Sequence, residues 1–307
     1  MTAVAVVGSI ITDVAVLTPR LPRRGENILA HRLQVGPGGK GANAAVAVAR
    51  LGAQAVLVGR VGSDDFGRRE LEALAEEHVD ISAVGIDPEV PTGTAIILVD
   101  DEGENTILVV LGANATLTPT HVTAGLAAHW GSLNAVLVNF EVPEDAVAAA
   151  VQQAASRGIP VIVDAGPPRR YDPQVWGRAD IISPNELELA TLVGHPVGEG
   201  DQVSAARELL AAGPRAVVLK RGARGALVVT RDAALAVPTF PVRVVDTTGA
   251  GDAFSGALAV ALAEGRPLPD AVRFANAAGA LATTRVGTLT VMPRRAEVEA
   301  LLAGASP

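Results

Sequence analysis

Residues 245–263 read Val-Asp-Thr-Thr-Gly-Ala-Gly-Asp-Ala-Phe-Ser-Gly-Ala-Leu-Ala-Val-Ala-Leu-Ala. The pattern predicts the end of a strand, a turn with two glycines and a buried apolar helix. Gly249 and Gly251 allow backbone conformations that other residues resist, and they leave no side chain in the way of a ligand. The amides of residues 249–252 would lie at the helix N-terminus, where unpaired N–H groups and the helix dipole favour an anion such as a transferring phosphoryl group.

Asp252 falls in the first turn of this predicted helix, where an ionised carboxylate is stabilised. A carboxylate beside an anion pocket can take a proton from a hydroxyl while the pocket holds the charge that develops on phosphate. This pairing is the chemistry of a hydroxyl kinase. The alternative is an aspartate that only caps a helix after a glycine-rich turn, as happens in many α/β proteins.

The composition of the chain argues against several classes of protein and of site. The chain has 307 residues, of which 49% are hydrophobic, enough for one large core or a core with a small appendage. A net charge of −8 argues against a nucleic-acid or anionic-membrane partner. With no cysteine and five scattered histidines, neither disulfides nor a zinc site is expected. No apolar run reaches 18 residues and no signal-peptide pattern opens the chain, so we expect a cytoplasmic protein.

The first apolar segment predicts a strand from Ala3 to Ile10, of the kind buried on both faces of a parallel sheet. It places Asp13 just past the carboxyl end of that strand. Ligands of open α/β sheets bind at this edge, so Asp13 is a candidate ligand group. A turn or cap carboxylate is the alternative.

Residues 14–36 and 92–111 differ from the rest of the first third. Both segments predict short strands and turns, the second as a hairpin that turns at residues 101–104. Two such excursions suggest a small sheet that covers the main domain as a lid, within a single domain spanning 1–307. A pair of ordinary edge hairpins is the alternative.

Between these segments, residues 36–43 read Gly-Pro-Gly-Gly-Lys-Gly-Ala-Asn and lead into a predicted helix from Ala44 to Leu51. The string matches the dinucleotide-binding pattern only formally, because no first strand of a βαβ unit precedes it. It is not a phosphate-binding P-loop either, since Gly41 follows Lys40. The better interpretation is a backbone bared by glycine for a polyhydroxyl ligand, with polar contacts from Lys40 and Asn43.

From residue 135 onward, predicted strands and helices alternate. Strands are expected at 135–140, 160–164, 180–183, 215–220 and 225–230, and helices at 143–157, after Pro184, and at 201–212. This succession predicts an α/β fold with a doubly wound, mostly parallel sheet flanked by helices.

Taken together, the motifs resemble those of the ribokinase-like (PfkB-type) carbohydrate kinase family over nearly the whole chain. The resemblance is carried by GSIITD at 8–13, GGKGAN at 38–43, GANA at 112–115, PNE at 184–186, RGARG at 221–225 and DTTGAGDAF at 246–254. It implies that Asp252 is the catalytic base and that Gly249, Ala250 and Gly251 form its anion hole. The positions that match the sugar-binding residues, besides Asp252, are Asp13, Gly39, Lys40, Asn43 and Glu141.

The resemblance also implies ATP, Mg²⁺ and K⁺ sites. The positions that match nucleotide-binding residues are Asn185, Lys220, Gly222, Arg224, Gly225, Gly251 and Asn276. Glu188, three residues after Asn185, matches a residue tied to Mg²⁺ through water, and residues at this spacing share a helix face. The positions that match a K⁺ loop are Asp246, Thr248, Ala282, Arg285 and Gly287.

The implied activity is ATP-dependent phosphorylation of the primary hydroxyl of a sugar, with D-ribose as the expected substrate and a homodimer as the expected assembly. Ile11 stands where the family usually has a sugar-binding Asn, Lys220 where Thr is common, and Val291 where a Ser would help to bind K⁺. The sugar therefore stays open among ribose, 2-deoxyribose, fructose and a nucleoside such as adenosine. A sugar-sensing protein without turnover is an alternative of another class.

Overall fold

The computed structural model describes residues 2–304, which form one large and one small β-sheet with helices on both sides of the large one. The strands of the large sheet are β1 Ala3–Val7, β4 Gln54–Gly62, β5 Val84–Asp87, β8 Ala135–Asn139, β9 Val161–Asp164, β10 Ile181–Ser183, β11 Ala216–Lys220, β12 Ala226–Val229 and β13 Ala234–Val237. The strands of the small sheet are β2 Ile11–Leu17, β3 Arg32–Gly38, β6 Gly93–Val99 and β7 Asn105–Val110.

The large sheet has the strand order β13-β12-β11-β10-β9-β8-β1-β4-β5. Strands from β11 to β5 pair in parallel, and only β12 and β13 form antiparallel pairs at one edge. The central strands are fully buried apolar runs because helices cover both faces. The predicted doubly wound, mostly parallel sheet is thus confirmed.

Ten helices of the described chain surround the sheet. They are α1 Lys40–Arg50, α2 Asp65–Glu76, α3 Pro119–Ala127, α4 Glu144–Ser156, α5 Pro173–Trp176, α6 Glu186–Val193, α7 Gln202–Ala211, α8 Ala250–Ala263, α9 Leu268–Ala282 and α10 Arg295–Leu302. The helices α1, α8 and α9 share one core with one face of the sheet, and α3, α4 and α7 share a second core with the other. None of the described helices is long and apolar enough to span a bilayer.

Helix α8 is the buried helix that the glycine-rich stretch predicts. Residues 253–261 are all buried, and α8 packs against α1 and α9. Gly256 permits a close approach, because a Cβ at this position would lie 2.8 Å from the Cβ of Ala47. The N-terminus of α8 is thereby fixed against α1, the helix that carries Lys40 and Asn43.

Two predicted boundaries are wrong. No strand precedes α8 at Val245: residues 238–248 are irregular, because Pro238 and Pro241 lack amide donors and the amides of Val245 and Asp246 pair with the Thr283 carbonyl. Helix α1 begins at Lys40 rather than Ala44, directly after Gly39, which has a φ of 91°.

The first strand also ends earlier than predicted. β1 stops at Val7, and the chain starts the small sheet at Ile11, where β2 pairs with Gly38 and Gly93. Asp13 therefore lies within β2 and not in a segment just past the carboxyl end of β1. The apolar run from Ala3 to Ile11 conceals this change of sheet, since Ile10 and Ile11 suit either one.

The small sheet has the order β3-β2-β6-β7 and is the segment that the sequence suggests as a lid. β6 and β7 lie within the predicted range 92–111, whereas β2 and β3 extend beyond 14–36 at both ends. Side chains alternate between its faces, so Asp13 lies on one face and Thr12 on the other. On the face that carries Thr12, Val35, Val14, Ile96 and Leu108 form one row across the four strands.

Candidate active site

The N-terminus of α8 forms the floor of the site. Gly249 is the N-cap residue with a φ of 75°, a conformation in which glycine avoids the strain of a side chain. The amides of Ala250, Gly251 and Asp252 follow in the first turn, where they have no partner within the helix. The Ala250 amide donates a long hydrogen bond of 3.3 Å to the Thr247 carbonyl before the helix. A Cβ at Gly251 would meet only the Lys220 ammonium, at 3.9 Å, so the space above these amides is open. The geometry suits an anion.

Asp252 is buried in this first turn, and its carboxylate has two partners from α1. Asn43 Nδ2 donates a hydrogen bond of 2.8 Å to Asp252 Oδ2, and Lys40 Nζ lies 3.9 Å from Oδ1. Burial raises the pKa of Asp252 to about 6, although the Lys40 cation acts in the opposite direction. Asp252 is therefore ionised at neutral pH and basic enough to accept a proton from a positioned hydroxyl.

Two further carboxylates belong to this cluster, that of Asp13 on β2 and that of Glu141 just after β8. Glu141 accepts hydrogen bonds from Ser9 Oγ at 2.5 Å and from the Lys40 amide at 3.3 Å. Burial raises the pKa of Asp13 to about 6; the Thr288 hydroxyl lowers it in part. The charges of Glu141 and Asp252 raise it further, so the three carboxylates share one neighbourhood.

Lys40 compensates the negative charge of this group. Burial alone would lower its pKa, but Asp252, Glu141, Asp164 and Glu188 together raise it above the ordinary value. Lys40 is thus held in its charged form among four carboxylates.

The backbone around 38–43 lies close enough to the cluster that larger residues would not fit. A Cβ at Gly38 would lie 2.3 Å from Asp13 Oδ2, and one at Gly39 would lie 2.6 Å from the Ile11 amide. Asn43 Oδ1 is buried and has no hydrogen-bond partner within residues 2–304. An unpaired amide oxygen next to Asp252 is a free acceptor for a hydroxyl group of a ligand.

A cavity of about 870 Å³ extends from this cluster past the N-terminus of α8. Its lining includes the charged side chains of Lys40, Lys220 and Asp252 and the apolar side chains of Phe240 and Val242. The predicted nucleotide-binding residues on its lining are Asn185, Lys220, Gly222, Gly225, Gly251 and Asn276. Lys40 and Lys220 are the only lysines of the chain, and both line this cavity.

Asp164, at the end of β9, is a site residue that the sequence did not single out. Lys220 Nζ donates to Asp164 Oδ1 at 3.0 Å, and the Ser255 hydroxyl of α8 donates to Oδ2. Burial would raise the pKa of Asp164, but Lys220 and Lys40 hold it below its usual value. The strand pattern could have identified Asp164 as a candidate ligand residue, because Asp164 ends a parallel strand next to β8, which ends beside Glu141.

Glu188 is buried at the start of α6 and is not exposed on the surface of that helix. Its carboxylate accepts from the Asn185 amide at 2.7 Å, while Asn185 Oδ1 accepts from the Glu188 amide at 2.8 Å. The two side chains therefore form a capping box at the start of α6. Lys220 Nζ lies 3.9 Å from Glu188 Oε2, so the carboxylate also faces the ammonium group.

Arg224 and Asn276 have other partners in this structure. The guanidinium of Arg224 pairs with Glu186 and Glu199 at the surface, and Arg224 does not line the cavity. Asn276 Nδ2 donates to the carbonyls of Val237 and Pro238 at 3.0 and 3.2 Å. Asn276 thus fixes the chain that leads into the apolar wall of the cavity.

The predicted cation loop lies behind the N-terminus of α8. Asp246 Oδ1 accepts from the amide and hydroxyl of Thr248 at 2.9 and 2.7 Å, and Oδ2 accepts weakly from the Gly287 amide at 3.3 Å. Ala282 is buried at the end of α9. Arg285 directs its guanidinium to Glu297, so only its backbone could reach an ion in this loop.

Comparison with known proteins gives a family for this arrangement. The model of the pfkB family of carbohydrate kinases matches residues 1–295 of this chain. A ribokinase of Bacillus subtilis is 37% identical over 98% of this chain and 100% of its own length. A deoxyribokinase of Salmonella typhi is 33% identical over 94% of this chain and 95% of its own length.

Among solved structures, Arabidopsis thaliana ribokinase complexed with ribose and ATP superposes with a TM-score of 0.89. It is 33% identical in sequence, and the match covers 98% of this chain and 99% of that one. The family match spans nearly the whole chain and includes the helix start that carries Asp252. This chain therefore belongs to the pfkB family of carbohydrate kinases.

Proposed function

We propose that this enzyme transfers the γ-phosphoryl group of ATP to the primary hydroxyl of D-ribose, giving D-ribose 5-phosphate and ADP. One observation carries the proposal: the buried carboxylate of Asp252 lies in the first turn of α8, next to helix N-terminal amides that face open space at Gly251. The N-terminus of α8 therefore supplies both the proposed base, Asp252, and the backbone amides that would bind an anion. The sugar is inferred from the full-length ribokinase relatives and from the hydroxyl-binding groups of the site.

In this proposal Asp252 accepts the proton of the sugar hydroxyl. The hydroxyl oxygen forms a bond to the γ-phosphorus, the bond from that phosphorus to the β,γ-bridging oxygen breaks, and ADP leaves. The amides of residues 249–251 stabilise the negative charge that develops on the transferring group. Asn43 orients the carboxylate of Asp252, and Lys40 keeps it ionised.

The remaining sugar hydroxyls would be held by Asp13, Lys40, Glu141 and the Gly39 backbone. ATP would lie in the 870 Å³ cavity, with its adenine near Phe240 and its phosphates near Lys220. Lys220 is fixed by Asp164 and carries no hydrogen bond to Glu188. Its remaining donors are free for a phosphate oxygen.

We infer that Mg²⁺ accompanies ATP beside Glu188. The buried carboxylates of Glu188 and Asp164 line the cavity, and hard oxygen donors are what Mg²⁺ prefers. When bound, the ion neutralises phosphate charge. Isothermal titration of Mg²⁺ with ATP present checks this binding: Glu188→Gln should weaken it, and superimposable titrations of variant and wild type would remove the assignment.

We also propose that K⁺ activates the enzyme through the loop of Asp246. Asp246 Oδ2 has only a weak protein partner, and the backbone carbonyls around 282–287 could complete a site for a large ion. Such an ion would order the residues before Gly249 without touching the sugar. Equal rates in K⁺ and in a bulky organic-cation buffer contradict this proposal.

One observation favours 2-deoxyribose as a second candidate substrate. Ile11 is buried on the face of β2 that carries Asp13, where the family usually has Asn. A site that lacks one hydroxyl partner discriminates less against a sugar without that hydroxyl. Fructose and adenosine are weaker candidates, and a sensing protein is disfavoured by the intact environment of Asp252.

Coupled ADP-release kinetics with ribose, 2-deoxyribose, fructose and adenosine test the proposal. We expect the largest kcat/KM for ribose, with 2-deoxyribose next. A tenfold or greater preference for adenosine or a hexose, on the kcat/KM scale of substrate discrimination, overturns the assignment of ribose. The absence of sugar-dependent ADP release with every compound overturns the catalytic proposal.

We further propose that the enzyme acts as a homodimer in the cytoplasm, where its proposed substrate ATP is made. The outer face of the small sheet carries exposed Leu33, Val35, Leu108 and Val110. An apolar patch of this kind marks an interaction surface, and a second copy of the chain is the partner we propose. Cell fractionation tests the location.

A further inference from the structure

A carboxyl group that the proposed chemistry does not use lies at the base of the small sheet. Glu70 is on α2 and is only 1% exposed. Its Oε1 accepts a hydrogen bond of 2.6 Å from the hydroxyl of Thr12, which is itself buried on β2. Thr12 directly precedes Asp13, so the side chain of Glu70 is bonded to the neighbour of a proposed sugar ligand.

The second carboxyl oxygen of Glu70 differs from those of the surface carboxylates, because it is shielded from solvent. Oε2 is buried and has no hydrogen-bond partner within the described residues. Burial raises the pKa of Glu70 to about 8; the bond from Thr12 and the Gly38 backbone lower it in part, and the Asp13 charge raises it. At neutral pH the group is a neutral acid, which adds no charge next to Asp13.

Helix α2 contacts β2 and β3 of the small sheet, and its N-cap residue Asp64 contacts the residue that precedes β6. Glu70 meets β2 at Thr12 and lies near the Gly38 backbone, the last residue of β3. At the N-terminus of the helix, Asp64 accepts from the amide and hydroxyl of Thr92, directly before β6, at 2.8 and 2.6 Å. This helix therefore attaches the small sheet to the large domain.

Asp13 depends on this attachment for its position. Ile11 pairs with Gly38 and Asp13 with Gly36 in the β2–β3 ladder. Gly38 also packs directly against the Asp13 carboxylate. A shift at Thr12 or Gly38 therefore moves the carboxylate that faces the sugar.

We propose that Glu70 is a positioning residue for sugar binding, which fixes Asp13 and the β2–β3 pair against the site through the hydroxyl of Thr12. The inference rests on the proposed sugar-kinase function. Glu70 would support only the part of the site that binds the sugar through Asp13. The cavity proposed for ATP is lined by residues outside α2, β2 and β3.

The test compares four variants of the full chain by ADP-release kinetics and thermal unfolding. Glu70→Ala should raise the KM for ribose about tenfold or more while the KM for ATP stays within about twofold, because only ribose contacts Asp13. Glu70→Gln keeps the acceptor and should restore the ribose KM to within about threefold of wild type. Thr12→Val removes the other partner at nearly constant volume and should act like Glu70→Ala.

Glu76→Ala, at an exposed position of the same helix, is the matched control and should change neither KM. A Glu70→Ala variant with an unchanged ribose KM overturns the inference, as does a parallel rise of both KM values. Should that variant fail to fold, Thr12→Val decides by the same criteria. If the wild type phosphorylates no sugar, the proposed function fails instead, which is a separate outcome.

Discussion

At the residue scale, the protonation state of Asp252 controls the proposed reaction. Its pKa of about 6 results from burial, opposed by the Lys40 cation 3.9 Å away. A base works only when ionised, so kcat/KM should fall as the pH drops through about 6. Asp13 has a pKa in the same range and would contribute to the same limb.

The charge of Lys40 gives this pH dependence a specific test. Because the cation lowers the pKa of Asp252, Lys40→Met should move the acid limb of the kcat/KM profile to higher pH and reduce the maximum. Arg231→Met, which removes an exposed cation that does not line the cavity, is the control and should leave the limb in place. An acid limb that stays fixed in Lys40→Met would show that Asp252 does not limit the profile.

The buried Ile11 gives a prediction about specificity. A sugar hydroxyl that faces Ile11 loses a partner at a cost of about 1–3 kcal/mol. Ile11→Asn should therefore increase the kcat/KM ratio of ribose over 2-deoxyribose, mainly through the ribose value. The ratio is measured for wild type and variant under the same conditions, with Ile10→Val as a control for packing changes. An unchanged or smaller ratio in Ile11→Asn contradicts this view of the pocket.

Single residues were predictable where a motif or a strand end marked them. Lys40, Asn43 and Asp252 could be identified from the sequence because each belongs to a glycine-rich motif. Asp164 also has such a mark, because it ends a strand beside β8. Glu70 has none, since it is an ordinary acid within a helix. Their importance follows from burial and from partners 56 and 58 residues away along the chain.

At the element scale, the start of α8 combines two glycines with different requirements. Gly249 has a φ of 75°, and a Cβ there would lie 3.1 Å from Met292 Cε. Gly251 lies in the helix and faces open space. The first glycine is needed for the fold of the turn, and the second is needed only to leave room for phosphate.

Alanine substitutions should separate these roles. Gly249→Ala should lower the free energy of unfolding by about 1–2 kcal/mol, the cost of a left-handed non-glycine residue. Gly251→Ala should leave stability unchanged or slightly higher, since alanine favours a helix, yet reduce kcat by crowding the anion site. Chemical denaturation and ADP-release rates measure the two effects. Equal stability losses in both variants would contradict the distinction.

The elements themselves were largely predictable, because apolar runs and glycine turns mark them. The helices after Gly39 and Gly249 and the strands of the second half lie close to their predicted positions. The errors occur where a local pattern fits two structures. The apolar run from Ala3 to Ile11 belongs to two sheets, and the valines before Asp246 lie in an irregular segment that follows two prolines. Only the long-range pairing of the chain decides such cases.

At the scale of the whole molecule, the small sheet has two faces with different surroundings. One carries Asp13 toward the site, and the other exposes an apolar row that includes Val35 and Leu108. Leu108 is 60% exposed in the isolated chain. In the proposed dimer, a second copy that covers this row would also restrain the small sheet, which carries Asp13.

We therefore expect Leu108→Lys to weaken the proposed dimer. Light scattering coupled to size-exclusion chromatography should give a mass near twice 31.2 kDa for the wild type and a lower mass for the variant. Leu235→Lys, at a similarly exposed position on β13, is the control and should keep the mass of the wild type. A monomeric wild type, or a variant that remains a full dimer, argues against this interface.

The most direct test of catalysis is the turnover of Asp252→Asn. Asparagine keeps the shape of the residue and can still pair with Asn43, but it cannot accept the proton of the sugar hydroxyl. We expect kcat to fall by about 10² to 10⁴, with the thermal unfolding midpoint and the KM values for ribose and ATP nearly unchanged. A variant that turns over at close to the wild-type rate would contradict the assignment of Asp252 as the base.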